Sequence, residues 1–262
     1  MAPFQFRPGR VPLLVSMPHT GTHLPEWLEP RLTRAAKALP DTDWHLERLY
    51  DFLDELGASV LAATHSRYVV DLNRPPDNAN LYPGQDTTGV VPVDTFHKEA
   101  LYLAGFAPLD AEARSRIEQY WKPYHAKLAH ELAALRKQHG HALLWDAHSI
   151  VSELPRFFAG KLPDFNLGTA DGKSCNPGVG EALLETICGY RKVLNGRFKG
   201  GYITRTYGEP GNGVHAVQLE LSEAVYMEEQ PPFRFREHVA RNVRPYLRKL
   251  LETFMQGFAP MA

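Results

Sequence analysis

The chain has 262 residues, of which 44% are hydrophobic and 23% charged, with 29 basic and 30 acidic side chains for a net charge of −1. At that length roughly three quarters of the unfolded surface can be buried, so folding needs neither disulfides nor a structural metal. The balanced charge excludes a generally basic nucleic-acid binder and an acidic disordered tail. Two cysteines, Cys175 and Cys188, exclude a disulfide scaffold and suit a reducing compartment. Residues 1–10 lack the apolar region of a signal peptide, and no run reaches the roughly 18 apolar residues of a membrane span. A cytoplasmic protein is the expectation.

No repeat, low-complexity block or linker interrupts the chain, which reads as one domain over residues 1–262. Val11–Met17 is a short apolar run closed by Pro18, His19, Thr20 and Gly21, and reads as a buried strand. From Asp43 to Leu56, apolar residues recur at helical spacing, and Gly57 closes the helix. Ala58–Ala63 and Arg67–Leu72 read as two strands. Residues 73–94, with four prolines and two glycines, read as a long loop, and loops of that size in compact domains are usually functional. A helix is expected over Leu109–His139, bent near Pro123, and then a strand over His141–Asp146. A polar loop follows through Lys173, and next a helix over Gly178–Cys188. Strands near Arg191–Leu194, Gly201–Thr206 and Val214–Leu221 precede a last helix from Phe235 to Phe254. Strands alternating with helices predict an α/β fold with a central mixed, mostly parallel sheet flanked by helices.

Ligands of open α/β sheets gather outside the carboxyl ends of the strands. Four of the predicted strands end there in polar clusters: Pro18 to Gly21, Asp71 to Arg74, Asp146 to Ser149, and Gln218 to Ser222. His19 and His148 suit an ion such as Zn²⁺, which takes imidazole nitrogens plus a carboxylate and keeps a position for water. Either histidine could instead cap a turn. Asp43 is the preferred third ligand, with Asp41 and His23 behind it, although Asp43 also fits a helix N-cap. Glu220 stands in an apolar strand, where a carboxylate is costly unless paired; it is either a general base or a side chain on an exposed edge. Arg74 offers a fork for a carboxylate, with the Asn73 amide beside it, and Arg205 is a second anion ligand. Each arginine could equally serve a surface ion pair.

Other motifs fail. Gly168 to Ser174 lacks one residue of a phosphate loop, and Gly211 to Ala216 precedes a strand where a dinucleotide fingerprint should follow one. Ala134 breaks a zinc motif begun at His130 and Glu131, and no nucleophile elbow occurs.

The segments VSMPHTGTHLP, DTDWHLERLY, RYVVDLNRPP, LLWDAHSI, GGYITRTYG and AVQLELSEAVYM, in this order, resemble the N-formylglutamate amidohydrolase family over nearly the whole chain. That family is similar in fold to zinc carboxypeptidases and aspartoacylases. The resemblance implies His19 and His148 as zinc ligands, Glu220 as base, and Asn73 and Arg74 as holders of a substrate carboxylate. Carboxypeptidase-type chains place a carboxylate ligand three residues after the first histidine, but here that position is Thr22, so the third ligand must come from elsewhere. The implied reaction is hydrolysis of N-formyl-L-glutamate to glutamate and formate, late in histidine breakdown. An unspecified arginine near the zinc would steady the oxyanion. A small-molecule substrate with carboxylates is expected, and neither nucleic acid nor membrane. The competing readings are a zinc carboxypeptidase or amidase acting on peptides or other N-acyl amino acids, and a small-molecule binding protein without turnover, which has no need of Glu220.

Overall fold

The computed structural model describes residues 1–81 and 84–258. Its strands are β1 (Phe4–Arg7), β2 (Leu13–Met17), β3 (Ser59–Ala63), β4 (Ala142–Ile150), β5 (Phe165–Gly168), β6 (Lys192–Leu194) and β7 (Val214–Ser222). They form one sheet in the order β1-β3-β2-β4-β7-β5-β6. The centre, β3-β2-β4-β7, is parallel, whereas β1 runs antiparallel to β3 and β5 antiparallel to β7. The mixed, mostly parallel α/β sheet expected from the sequence is present.

Helices α1 (Arg34–Lys37), α2 (Leu46–Leu49), α3 (Leu53–Leu56), α4 (Asp110–Arg116), α5 (Lys122–His139), α6 (Val179–Glu185), α7 (Tyr202–Tyr207) and α8 (Glu237–Gln256) complete the chain. Every residue of β2, β4 and β7 is buried, as expected of parallel strands covered on both faces. On one face Leu13, Val15, Leu143, Trp145, Val217 and Leu219 pack against Val243, Leu247, Leu250 and Phe254 of α8. These α8 residues recur every three or four positions, so the helix presents one apolar stripe. On the other face Leu14, Leu61, Ala142, Leu144 and Ala216 pack against Tyr124, Leu128, Leu132 and Leu135 of α5.

The strand period of two then locates the chemistry. Continuing Ala142 and Leu144 along β4 gives Asp146 and His148, and continuing Val214 and Ala216 along β7 gives Gln218 and Glu220. Ser16 of β2 lies on the same face, bonded to Tyr124 Oη at 3.0 Å. The face that α5 covers is therefore apolar at the amino ends of the strands and polar at their carboxyl ends.

Several elements differ from expectation. The helix expected from Asp43 to Leu56 is two single turns, α2 and α3. His45 before α2 is left-handed at φ 63°, and its Nε2 is tied to Phe233 O at 2.6 Å, so the helix starts only at Leu46, and it ends at Tyr50, which leaves helical geometry at ψ 35°. Gly57 does close α3, in the left-handed conformation at φ 80°. Arg67–Leu72 is not a strand, because β1 occupies the sheet edge beside β3. Gly201–Thr206 falls on the N-cap and body of helix α7, since a run as short as GYITRT carries no period to separate helix from strand. The Leu109–His139 helix is broken by a π-helical turn over Ile117–Trp121, with Pro123 in the first turn of α5. Strand β4 runs four residues past its expected end, and β5 lies inside the expected polar loop. Among the described residues no helix is long and apolar enough to cross a membrane.

Candidate metal centre and its cleft

His19 lies two residues past β2 and His148 lies within β4, on the strand adjacent to β2. Asp43 joins them because its N–H donates to His19 O at 3.1 Å, which pins the turn before α2 to the end of β2. The three side chains are buried and converge. His148 Nδ1 is 3.2 Å from His19 Nδ1 and 3.1 Å from Asp43 Oδ2, and His19 Nδ1 is 3.7 Å from Asp43 Oδ2. A tetrahedral ion with bonds of 2.0–2.1 Å sets its ligand atoms about 3.3–3.4 Å apart. The donor set and its spacing fit such an ion, since two imidazole nitrogens facing each other at this distance need a proton or cation between them.

The far nitrogens are held as metal-binding imidazoles usually are. His19 Nε2 meets Asp71 Oδ1 at 2.7 Å, and Asp71 Oδ2 in turn accepts from Arg67 Nη2 at 2.6 Å. His148 Nε2 meets Asp146 Oδ1 at 3.1 Å. An ion held by both inward Nδ1 atoms would leave the proton of each imidazole on Nε2, facing Asp71 from His19 and Asp146 from His148. Burial alone would raise the pKa of Asp71, but Arg67 and then His19 outweigh it and hold the group well below the usual carboxylate range. For Asp43 too, burial is outweighed, here by hydrogen bonds from His148 and His19, and the net shift is downward. His148 shifts upward: burial opposes its charge, but Asp146 and Asp43 stabilise it more. The pocket is thus electrostatically ready for positive charge.

Glu220 is paired in register with His148 across β4 and β7. Its Oε2 accepts from Gln218 Nε2 at 3.2 Å. Burial pushes its pKa up to about 8, opposed by the nearby His148 and reinforced by the Asp43 carboxylate. A cation among the three ligand atoms would pull this value back down. The residue does not sit on an exposed edge, because β5 covers β7 on that side.

Arg67 escaped the sequence reading. Its Nη1 reaches Asp41 O at 3.3 Å and lies 3.9 Å from Asp43 Oδ1, while its guanidinium stacks over Phe96. Among the described residues its Nε has no hydrogen-bond partner, and it lines the cleft together with His19 and His148. The signal that could have found it is Arg67 and Asp71, four residues apart in the run RYVVDL, since charges inside a buried apolar segment must pair.

The other expected residues are only partly gathered. Asn73 lines the cleft, but its amide is engaged: Oδ1 accepts from Ile203 N at 2.8 Å, and Nδ2 lies 3.4 Å from Asp146 Oδ2 and 3.0 Å from His148 Nε2. Arg74 lines the cleft and donates to neutral oxygens, Thr88 O at 3.0 Å, Asn73 O at 3.2 Å and Thr88 Oγ1 at 3.4 Å. Arg205, expected at a strand end, is on the last turn of α7 with Nε donating to Gly200 O at 2.7 Å, outside the cleft lining. Asp41 accepts from Phe96 N at 2.9 Å, and His23 packs on His65, so neither alternative joins His19, Asp43 and His148. Arg197, not foreseen, completes the cleft beside Phe157 and Phe198.

The model of the N-formylglutamate amidohydrolase family matches residues 11–227. The N-formylglutamate deformylase of Pseudomonas putida is 52% identical over 254 residues, covering 95% of this chain and 94% of its own. That of Pseudomonas aeruginosa PAO1 is 54% identical, covering 95% of each chain. A crystal structure of N-formylglutamate amidohydrolase from Ralstonia eutropha JMP134 superposes with a TM-score of 0.83 at 24% identity, over 98% of this chain and 100% of the other. A gene product of Agrobacterium tumefaciens superposes with a TM-score of 0.73 at 16% identity, over 98% and 96%. The likeness to these two structures is one of fold.

Proposed function

The chain belongs to the N-formylglutamate amidohydrolase family, and from that premise we propose that it hydrolyses N-formyl-L-glutamate to glutamate and formate with one divalent metal ion, zinc by preference. The observation that carries the reading is the convergence of His19, Asp43 and His148 beside Glu220, at the carboxyl end of the sheet and in a cleft that holds arginines. When bound there, the ion supplies Lewis acidity toward the formyl oxygen and lowers the pKa of water.

The chain's own residues supply the rest. With an ion at Nδ1, Asp71 and Asp146 would hold the protons of His19 and His148 on Nε2, supported by their contacts at 2.7 and 3.1 Å. Glu220, as carboxylate, takes the proton of the attacking water and returns it to the leaving amine. Arg67 is held by Asp71 beside the ligand cluster, and its positive charge stabilises the oxyanion that develops on the formyl group. Phe96, Phe157 and Phe198 give the cleft apolar walls, and apolar walls strengthen charges placed between them. A formyl group is too small to confer selectivity, so specificity falls to the anchoring of the substrate carboxylates. Arg74 is the reader of one of them, with Asn73 as its scaffold. The reaction would be a late step of histidine breakdown in the cytoplasm.

Arg74→Lys tests the substrate class, because lysine keeps the charge but not two parallel hydrogen bonds. Loss of such a charge-assisted bond is worth roughly 1.5–3 kcal/mol, about tenfold to a hundredfold in kcat/KM. The loss is expected with N-formylglutamate and is expected to shrink with the monoamide that lacks the anchoring carboxylate. An equal loss with N-formylglutamate and both monoamides would show that Arg74 reads no carboxylate.

A further inference from the structure

Residues 67–74 carry four groups of the site, Arg67, Asp71, Asn73 and Arg74, yet this strap belongs to no strand. Its backbone polar groups need partners nevertheless, because buried amides and carbonyls left unpaired are costly. The accounting is unusual. Asp71 N donates to Val90 O at 2.7 Å, and Asn73 O accepts from Tyr202 N at 3.4 Å. Four other carbonyls accept from side chains of a single helical segment. Arg116 Nη1 lies 3.3 Å from both Tyr68 O and Val69 O. His125 Nε2 donates to Leu72 O at 2.8 Å, and Trp121 Nε1 donates to Arg74 O at 3.0 Å.

These donors come from α4, the π-helical turn and α5. In an α-helix, residues five apart point about 140° away from each other. The wider i→i+5 turn over Ile117–Trp121, closed by Lys122 N to Ile117 O, brings Arg116 and Trp121 to the same side, and His125 follows one α-helical turn later. Such π turns inside helices are frequent at functional sites. Trp121 and His125 also stack at 3.7 Å between ring centroids, which fixes both rings. Tyr207 Oη lies 2.9 Å from His125 Nδ1, and with Nδ1 as acceptor there, Nε2 is the protonated donor to the strap.

We propose that this π-turned helix is a clamp that positions the catalytic strap, and that Trp121 and His125 are positioning residues with separable effects. The inference rests on the metal and carboxylate reading above. Leu72 O lies between Asp71, which orients His19, and Asn73, which touches Asp146 and His148; His125 therefore governs the metal ligands. Arg74 O belongs to the residue proposed to read substrate; Trp121 therefore governs substrate binding.

The test uses the full chain. Trp121→Phe keeps an aromatic ring and deletes the donor, and is expected to raise KM for N-formylglutamate about fivefold with kcat within about twofold. His125→Leu is expected to weaken Zn²⁺ or Co²⁺ binding about tenfold, measured by chelator competition on the protein alone. His125→Gln presents an N–H at similar reach and is expected to recover most of that affinity. A lower Tm with unchanged metal affinity in the folded His125 variant, or unchanged KM with Trp121→Phe, would reduce the clamp to packing and overturn the proposal. If His125→Leu does not fold, metal affinity tenfold weaker in His125→Gln than in wild type would equally contradict it. Wild-type protein that releases no formate from N-formylglutamate would refute the proposed function instead, and the metal affinities would still judge the clamp.

Discussion

Glu220→Gln is expected to lower kcat by about 10²–10⁴-fold, the usual cost of removing a general base. The amide is nearly isosteric with the carboxyl group and can still accept the hydrogen bond that Gln218 Nε2 gives to Oε2 at 3.2 Å. The packing of β7 against β4 and β5 is therefore kept, and KM and metal content are expected to stay close to those of the wild type. Thermal stability is expected to hold or rise, since a neutral amide avoids the cost of burying charge that pushes the carboxyl pKa upward. Steady-state kinetics with the metal-loaded variant check this directly. A variant with near-normal kcat would demote Glu220 to a structural residue of the strand, and another group would have to move the water's proton.

The second large effect belongs to His148→Ala. In the proposed site the imidazole contributes one of the three inward donors, and its Nε2 also lies 3.1 Å from Asp146 Oδ1, so its removal acts twice. The metal site keeps only His19 and Asp43, which cannot hold a divalent ion at micromolar concentrations against water and buffer. Metal content after gel filtration is expected to fall below about a tenth of the wild-type value, with activity lost in parallel. Asp146 keeps hydrogen bonds from Ser16 Oγ, Thr204 Oγ1 and Asn73 Nδ2 but loses the imidazole, and since breaking a buried pair costs up to about 3–5 kcal/mol, the variant is expected to melt below the wild type. His148→Gln, with a nitrogen donor for Asp146 but a poor metal ligand, separates the two effects: stability is expected to return in part and metal is not. Retention of the metal by folded His148 variants would remove this residue from the site.

The site was legible where a polar residue interrupts a strand that is buried on both faces. His148 and Glu220 stand in the runs LLWDAHSI and AVQLEL, whose leucines, alanines, valine and tryptophan pack into two apolar layers, and His19 ends such a run. In these positions burial makes chemistry the economical explanation. Asp43 was legible only as one of three alternatives, because its approach to His19 depends on a backbone bond across 24 positions of sequence and on the left-handed turn at His45. Arg67 was hidden for a different reason. The run RYVVDL has the composition of a strand, and a strand reading leaves no cause to ask where its carbonyls bond. Its true conformation follows from partners far away in sequence, β1 at the sheet edge and the donors of α4 and α5. The same kind of override delayed the start of the expected 43–56 helix, where His45 reaches Phe233 O. The apolar residues of that stretch still point inward, so the periodicity was a guide to burial even where it misjudged the backbone. The runs GYITRT and FNLG are too short for either period to show, and α7 and β5 were misread accordingly.

The central claim is that a single ion, held by His19, Asp43 and His148, acts with Glu220 on the formyl amide. One measurement addresses it most directly: formate release from N-formyl-L-glutamate by the purified protein, with metal content determined on the same sample before chelation, after chelation and after adding back Zn²⁺. The account predicts about one divalent ion per chain, turnover that disappears with the ion, and turnover that returns with it. Undiminished formate release from protein freed of metal would contradict it.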